Sequence, residues 1–257
     1  MHPISVHHLT AAALSPKDLI DTVARAGGEA VSLFTHSQGD HFPCVRSDNA
    51  RAVAKRLRDT GVALINIDAF MLTPTSDIKT FRADLARGAE LGARSATAII
   101  FDADRNRGKD NLQRLSEIAA ELDLNIALEF MPFAPIARNL READHLLDDI
   151  DAPNLGITVD VLHLIRSGGT AADLPAVSPQ RITTVQLCDS ASMAVTTEYI
   201  EEAASQRGLP GDGIFPLAQI IAAAPESCVL EIESPHNQND PARARIEQGL
   251  DYLKTLN

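Results

Sequence analysis

Residues 124–163, LNIALEFMPFAPIARNLREADHLLDDIDAPNLGITVDVLH, decide the fold, because an apolar run, a helix-like segment and a second apolar run follow one another there. LNIALEFM and LGITVDVLH have the length and the composition of buried strands. A strand that returns through a helix to a second strand is typical of the right-handed crossover between parallel neighbours. The stretch therefore predicts one βαβ unit of a parallel sheet.

The same alternation runs along the whole chain. Strands are predicted at 3–9, 29–34, 62–69, 95–102, 124–131, 155–163, 182–188 and 227–233. Eight strand–helix alternations in 257 residues match a (β/α)8 barrel, which typically has about 250 residues. We predict an α/β fold, a single TIM-barrel domain over residues 1–257. A doubly wound open sheet is the alternative, but no Gly-rich phosphate loop follows the first strand.

Helix ends are also marked in the sequence. The clearest helical segments are 15–27, 47–61, 78–93 and 110–123. Ser15 and Ser47 are predicted N-caps, and Gly27, Gly61 and Gly92 stand where a left-handed C-terminal turn is expected. The long segment 189–215 predicts a helical insert at about 190–210, with its helix at 196–206, since loops of that length often carry a small element.

Composition restricts the function. The formal charge of −12 opposes binding to a phosphate backbone, and no apolar stretch is long enough to span a bilayer. The N-terminus lacks the pattern of a signal peptide. Cys44, Cys188 and Cys228 are far apart and form no C-x-x-C pair, which opposes a disulfide framework or a cysteine zinc site. We expect a soluble cytoplasmic protein with a small-molecule partner, no nucleic acid and no membrane.

Four oxygen-bearing side chains come late in four successive predicted strands: Glu129, Asp160, Gln186 and Glu231. The C-terminal ends of barrel strands open on one face, so these side chains are expected to converge. Three crowded carboxylates would raise one another's pKa values unless a cation lay between them. Oxygen donors favour Mg²⁺, Mn²⁺ or Co²⁺ over Zn²⁺. Each residue taken alone could equally cap the core at the barrel rim.

The stretches LNIALEFMP, LGITVDVLHL, RITTVQLCD, RGLPGDG and VLEIES resemble the xylose-isomerase-like sugar phosphate isomerase/epimerase superfamily of barrels. The resemblance covers the C-terminal half in order, and residues 1–120 only as a strand–helix pattern. It implies that Glu129, Asp160, Gln186 and Glu231 hold a divalent metal. It also implies that Glu129 and Glu231 act as acid and base on opposite faces of the substrate.

Two departures from the family pattern bear on the reaction. Gln186 replaces the commoner His, as in hydroxypyruvate isomerases and metal-dependent 3-dehydroshikimate dehydratases. The ligands are 31, 26 and 45 positions apart (129 to 160, 160 to 186, 186 to 231), and the long last spacing resembles the dehydratases. However, their aromatic–Ser–Arg–His stretch is replaced by Ser205-Gln206-Arg207.

Further residues are candidates for the substrate pocket. The resemblance implies that His163 contacts a substrate oxygen and that Arg207 binds a carboxylate or a pair of hydroxyls. The alternative for each residue is a structural role. His7 is favoured over His8 for the pocket wall, because neighbours on a strand face opposite sides. The remaining rim candidates, each with a structural role as the simpler reading, are His36, His41, Asp68 and Glu233. Residues expected to be structural are Cys188 in the core, Asp189 as a turn cap, Gly211 and Gly213 at positive φ, and Arg105, Arg107 and His236 in solvated loops.

Such a site supports removal of a proton next to a carbonyl, giving an enediolate. We expect a metal-dependent isomerase or epimerase of a small sugar, keto-sugar or hydroxy-keto acid. A homo-oligomer and a single chain both remain open as its assembly. The alternative is a lyase that dehydrates 3-dehydroshikimate or an inosose. An apurinic-site endonuclease, which needs a histidine-rich metal cluster, and a barrel without catalysis are more remote alternatives.

Overall fold

The computed structural model describes residues 2–37, 42–196, 198–236 and 241–256, and its eight parallel strands close into a barrel in chain order. The strands are β1 Ile4–His7, β2 Ala30–Phe34, β3 Ala63–Leu72, β4 Ser95–Ile100, β5 Asn125–Glu129, β6 Leu155–Asp160, β7 Ile182–Leu187 and β8 Val229–Ile232. β8 pairs with β1, so the sheet has no free edge. The predicted (β/α)8 barrel is confirmed.

Helices connect the strands and surround the barrel. They are α1 Pro16–Arg25, α2 Ala50–Thr60, α3 Arg82–Glu90, α4 Arg105–Ala120, α5 Leu140–Ile150, α6 Val161–Arg166, α7 Tyr199–Ser205, α8 Leu217–Ala223 and α9 Ala242–Leu256. Their buried faces and the strands form one continuous apolar core. None of the helices within the described ranges is long and apolar enough to cross a membrane.

The predicted helix ends are partly confirmed. Ser15 caps α1 by accepting a hydrogen bond from the Asp18 amide. Gly27, Gly61 and Gly92 all have positive φ. Ser47 as the cap of α2 is wrong: the Asn49 side chain accepts from the Arg46 amide at 2.9 Å and closes a turn, so the helix begins only at Ala50.

The sixth strand was predicted to reach residue 163, and this is wrong. β6 ends at Asp160, and α6 begins at once because the Asp160 carboxylate accepts from the His163 backbone N–H at 3.0 Å. A short buried apolar run does not by itself distinguish a strand from a buried helix. As a result, His163 lies on the first turn of a helix, directly above the end of its strand.

The prediction that Arg105 and Arg107 lie in a solvated loop is also wrong. Asp104 caps α4 by accepting from the amides of Asn106 and Arg107, so α4 begins at Arg105. Arg107 then holds the Asp102 carboxylate with two hydrogen bonds, at 2.6 and 2.7 Å. Because of this cap, α4 begins at Arg105, five residues before the predicted start at residue 110.

Candidate metal and substrate site

The four oxygen-bearing residues lie on adjacent strands at one end of the barrel. Asp160 is in register with Gln186, and Gln186 with Glu231, so these three form a row across β6, β7 and β8. Glu129 ends β5, next to this row. All four are buried, with Glu129 7% exposed and Asp160 and Glu231 fully buried. The barrel topology thus brings together residues that are 26 to 45 positions apart between neighbours in the row.

Glu231 is held on both sides. The Ser32 hydroxyl donates to Oε1, and Gln186 Nε2 donates to Oε2 at 3.1 Å. Burial raises the pKa of Glu231, because a buried carboxylate loses its hydration. The amide oxygen of Gln186 is buried without a hydrogen-bond partner in the described chain. It is therefore an acceptor that a cation or a donor could satisfy.

Asp160 has a positive neighbour in the protein itself. Arg207 Nη1 donates to Oδ2 of Asp160, and Arg207 Nε donates to the Ala203 carbonyl at 2.8 Å. Burial alone would raise the pKa of Asp160, but Arg207 and His163, through their charges and hydrogen bonds, together lower it. The carboxylate is therefore ionised. Arg207 also lies 3.8 Å from Glu233, so the side chain expected to bind substrate already has two carboxyl neighbours in the protein.

His163 connects Glu129 to α7. Its Nε2 lies 3.3 Å from Glu129 Oε1, and its Nδ1 is hydrogen-bonded to the Tyr199 hydroxyl. Ligand atoms of Glu129, Asp160 and His163 lie within 4.8 Å of one another, close enough to hold one ion. A carboxylate oxygen only accepts, so the contact with Glu129 favours a proton on Nε2 and Tyr199 as the donor to Nδ1.

A second cluster of charges occupies the β1 side of the same end. His7 Nε2 lies 3.1 Å from Asp68, and His7 Nδ1 lies 3.9 Å from Glu233. Asn66 also donates to Asp68, at 2.8 Å. Burial raises the pKa of Glu233. This cluster places His7, Asp68 and Glu233 beside the row of predicted ligands.

A cavity of about 420 Å³ opens over these residues. Its polar lining side chains are His7, Asp68, Glu129, His163, Gln186, Arg207 and Glu233. Asp160 and Glu231 have no exposed surface and lie behind this lining. The apolar lining comes largely from loops and from α7, and includes Phe34, Phe42, Phe101, Met131, Phe133 and Ile200.

The other predicted histidines lie elsewhere or outside the described residues. His8 Nε2 donates to the Leu14 carbonyl at 2.9 Å, and His8 is fully buried. His36 binds Asp84 at 2.8 Å. His236 was expected in a solvated loop, but its backbone pairs with Gln206 in an isolated antiparallel β-bridge. His41 lies outside the described residues.

The loop after β7 is closed by Asp189, which caps it as predicted. Its carboxylate accepts from the amides of Gly211 and Phe215. Gly211 has a φ of +95°, as predicted. Gly213 does not have positive φ; it is required by space instead, since a Cβ there would lie 2.3 Å from the Ser190 carbonyl oxygen. Cys188 is fully buried, as expected, and burial raises its pKa.

Residues 20–256 match the family of xylose isomerase-like TIM barrels. The chain belongs to this family. The match includes the four strand-end residues and the loops around the cavity. The sequence resemblance to this superfamily is confirmed.

Proteins that are similar to this chain carry names of different reactions. A 3-dehydroshikimate dehydratase from Pseudomonas aeruginosa is 28% identical over 152 residues, which are 57% of this chain and 24% of that protein. The chain thus aligns with about a quarter of the length of this curated relative. Two solved structures share the fold at 17% identity: the IolI protein with a bound zinc atom (TM-score 0.81, covering 100% of this chain and 98% of that one) and a D-allulose 3-epimerase from Methylomonas sp. (TM-score 0.76, covering 100% and 98%).

Sequence reasoning missed Tyr199 and the phenylalanines. Tyr199 stands in the predicted helix 196–206, but nothing in the sequence connects it with His163, which is 36 positions away. Phe101 lies near the end of the predicted strand 95–102 and Phe133 lies two residues after the predicted strand 124–131, and these positions were the available signal. Their place after β4 and β5 on a barrel puts them at the same rim as Glu129.

Proposed function

We propose that this protein is a divalent-metal-dependent isomerase or epimerase of a small sugar, keto-sugar or hydroxy-keto acid, acting through an enediolate. The observation that carries the proposal is the row of Asp160, Gln186 and Glu231 in register on adjacent strands, with Glu129 beside it. Gln186 lines the cavity at the end of the barrel where catalytic residues are found in this fold, and Asp160 and Glu231 lie behind that lining.

The side chains present fit a divalent cation. Gln186 Oε1 is buried without a hydrogen-bond partner in the described chain, and the neighbouring atoms that could bind a metal are carboxylate oxygens. Glu129, Asp160, Gln186 and Glu231 would hold the ion, and such hard donors suit Mg²⁺, Mn²⁺ or Co²⁺. When bound, the ion would stabilise negative charge that develops on a substrate oxygen.

Glu129 would exchange a proton with a molecule in the cavity, since its side chain lines the cavity while that of Glu231 does not. His163 Nε2, 3.3 Å from Glu129, would orient that carboxylate or donate to a substrate oxygen. Glu231 is assigned the second acid–base role by the family resemblance.

The second candidate is a lyase that uses the same proton abstraction and then expels a β-hydroxyl. It is favoured by the dehydratase relative, which aligns over 57% of this chain. Both reactions begin with the loss of a proton next to a carbonyl, so the same residues would serve either one. The two differ in whether water leaves.

The test is incubation of the Mn²⁺-loaded protein in D₂O with hydroxypyruvate, a ketose panel, an inosose and 3-dehydroshikimate, followed by proton NMR. Deuterium entering next to the carbonyl with the formula retained would support the isomerase or epimerase. Loss of water to an enone or aromatic product would give the assignment to the lyase. No exchange and no product with any member of the panel would count against both.

A further inference from the structure

The cavity has a polar floor and an apolar wall. The floor consists of strand-end side chains such as His7, Glu129 and Gln186, whereas the apolar wall comes from the ends of β2, β3 and β4, from the segments that follow the strands, and from α7. Among the described lining residues there is no Ser, Thr, Asn or Lys. The wall therefore offers few hydrogen bonds to whatever fills it.

Four phenylalanine rings contribute to the wall, beside aliphatic and methionine side chains. Phe101 and Phe133 are stacked, with centroids 6.0 Å apart and planes inclined by 12°. Phe34 and Phe42 meet edge to face at 4.6 Å. Aromatic faces of this kind attract a third planar ring as well as one another. The wall thus presents two ring pairs set among aliphatic and methionine side chains.

Three large apolar side chains are exposed at this cavity. Met71 is 37% exposed, Phe133 is 36% exposed and Ile200 is 64% exposed. A single exposed apolar side chain needs no explanation, but a cluster beside a cavity marks a binding surface. The placement of these three at the mouth extends the apolar wall outward.

The polar groups of the floor are largely engaged with one another. Arg207 is held by Asp160 and lies beside Glu233, and His7 faces Asp68. A hydroxyl that leaves water without a new partner loses its hydrogen bonds, which disfavours a substrate with hydroxyls along its whole length. The unpartnered acceptors Gln186 Oε1 and Glu233 Oε2 are at the floor. Polar recognition is therefore concentrated at one end.

We propose that the substrate carries its carbonyl and the neighbouring hydroxyl at one end only, with an uncharged apolar ring or branched chain at the other, lying against Phe101 and Phe133. This inference rests on the proposed function and narrows its substrate class. The end with the carbonyl and the hydroxyl lies against the polar floor, near Glu129 and Gln186. A fully hydroxylated sugar is then a poor substrate.

The first test compares two compounds with the same hydroxyketone end, 2-hydroxyacetophenone and 1,3-dihydroxyacetone, in D₂O with Mn²⁺-loaded protein. In each, a C–H bond next to the carbonyl breaks, the proton goes to solvent and a C–D bond forms, with no redox change. Each rate is divided by its buffer-catalysed rate. We expect the phenyl compound to be favoured in kcat/KM by about ten- to a hundredfold. Equal values, or a preference for dihydroxyacetone, would overturn the inference.

Variants locate the effect on the wall. Phe133→Ala should raise KM for 2-hydroxyacetophenone by about tenfold and leave dihydroxyacetone within about twofold, while Phe133→Leu restores most of the loss. The matched control is Ile214→Ala, which removes an exposed apolar side chain (58% exposed) outside the described cavity lining. Equal losses for both compounds in Phe133→Ala would refute the role of the ring.

Failure of the proposed isomerase function and failure of the substrate inference give different results. If no compound exchanges, saturation-transfer NMR on the ring protons of 2-hydroxyacetophenone still tests the wall. Transfer in the wild-type protein that is lost in Phe133→Ala would support the inference and contradict the isomerase. No transfer in the wild-type protein would overturn the inference. Exchange of ketoses without any preference for the phenyl compound would overturn only the inference.

Discussion

The Tyr199→Phe substitution removes one oxygen atom and leaves the ring in place. Its hydroxyl is hydrogen-bonded to His163 Nδ1, and both side chains are buried, 8% and 2% exposed. Burial raises the pKa of Tyr199, so the phenol stays protonated and can donate at all pH values of interest. We expect the variant to fold, because α7 remains attached through the bond of Arg166 to Glu202 at 2.6 Å.

The magnitude follows from the buried nitrogen that loses its partner. An unsatisfied buried polar group costs about 1–3 kcal/mol, which lowers Tm by about 2–4 °C per kcal/mol in a protein of this size. Partners that orient a site histidine contribute about ten- to a hundredfold to activity or metal affinity. We therefore expect kcat to fall by about ten- to a hundredfold, with a smaller change in KM.

The chain offers a matched control, because it has only two tyrosines. Tyr252→Phe changes the half-buried one on α9. The assays are thermal unfolding, deuterium exchange of the best substrate, and the ¹⁵N shifts of the His163 ring, which report the tautomer. If the two variants behave alike in all three, Tyr199 does not position His163 and the reasoning is refuted.

Further predictions concern charge and space. Burial lowers the pKa of His8 to about 4, below its value of about 6.5 in the unfolded chain. The free energy of unfolding therefore does not depend on this group above pH 6.5, and it falls as the pH drops from 6.5 to 4. Between pH 7 and 4.5, urea unfolding should show the wild-type protein losing about 2–3 kcal/mol more than His8→Gln; equal losses would contradict this. Arg207→Met should cost the metal-free protein about 3–5 kcal/mol, because it leaves buried Asp160 unpaired, and added Mn²⁺ should restore part of the lost Tm. If the metal-free variant is as stable as the metal-free wild-type protein, this prediction is contradicted. Gly213→Ala should cost about 1–3 kcal/mol by forcing the loop away from Ser190, measured as a fall in urea midpoint; an unchanged midpoint would show that the contact relaxes freely.

The sequence predicted the barrel because its strands are short apolar runs separated by helices with clear ends. All eight observed strands overlap their predicted ranges. The errors lie where a side chain moves a boundary: Asp160 starts a helix inside a predicted strand, and Asp104 starts α4 early. Capping geometry of this kind depends on local turns that apolar periodicity does not encode.

The site was only partly visible in the sequence. Strand-end position places Glu129, Asp160, Gln186 and Glu231 on one rim, because barrel topology alone does so. The partners of these residues come from distant segments: Arg207 reaches Asp160 from 47 positions away. Such pairings depend on the path of the loop after β7, which no local pattern specifies. The apolar wall depends on the same kind of loop path, since several of its side chains come from loops and from α7.

The most direct test of the site is deuterium exchange of the best substrate as a function of added Mn²⁺ in four proteins: wild type, Glu129→Gln, Glu231→Gln and the exposed control Glu226→Gln. We predict saturable, Mn²⁺-dependent exchange in the wild type and the control. In Glu129→Gln exchange is lost while Mn²⁺ still stabilises the fold, and in Glu231→Gln both the exchange and the stabilisation by Mn²⁺ are weakened. Full exchange in both active-site variants, or exchange that is indifferent to Mn²⁺ and to chelator, would contradict the account.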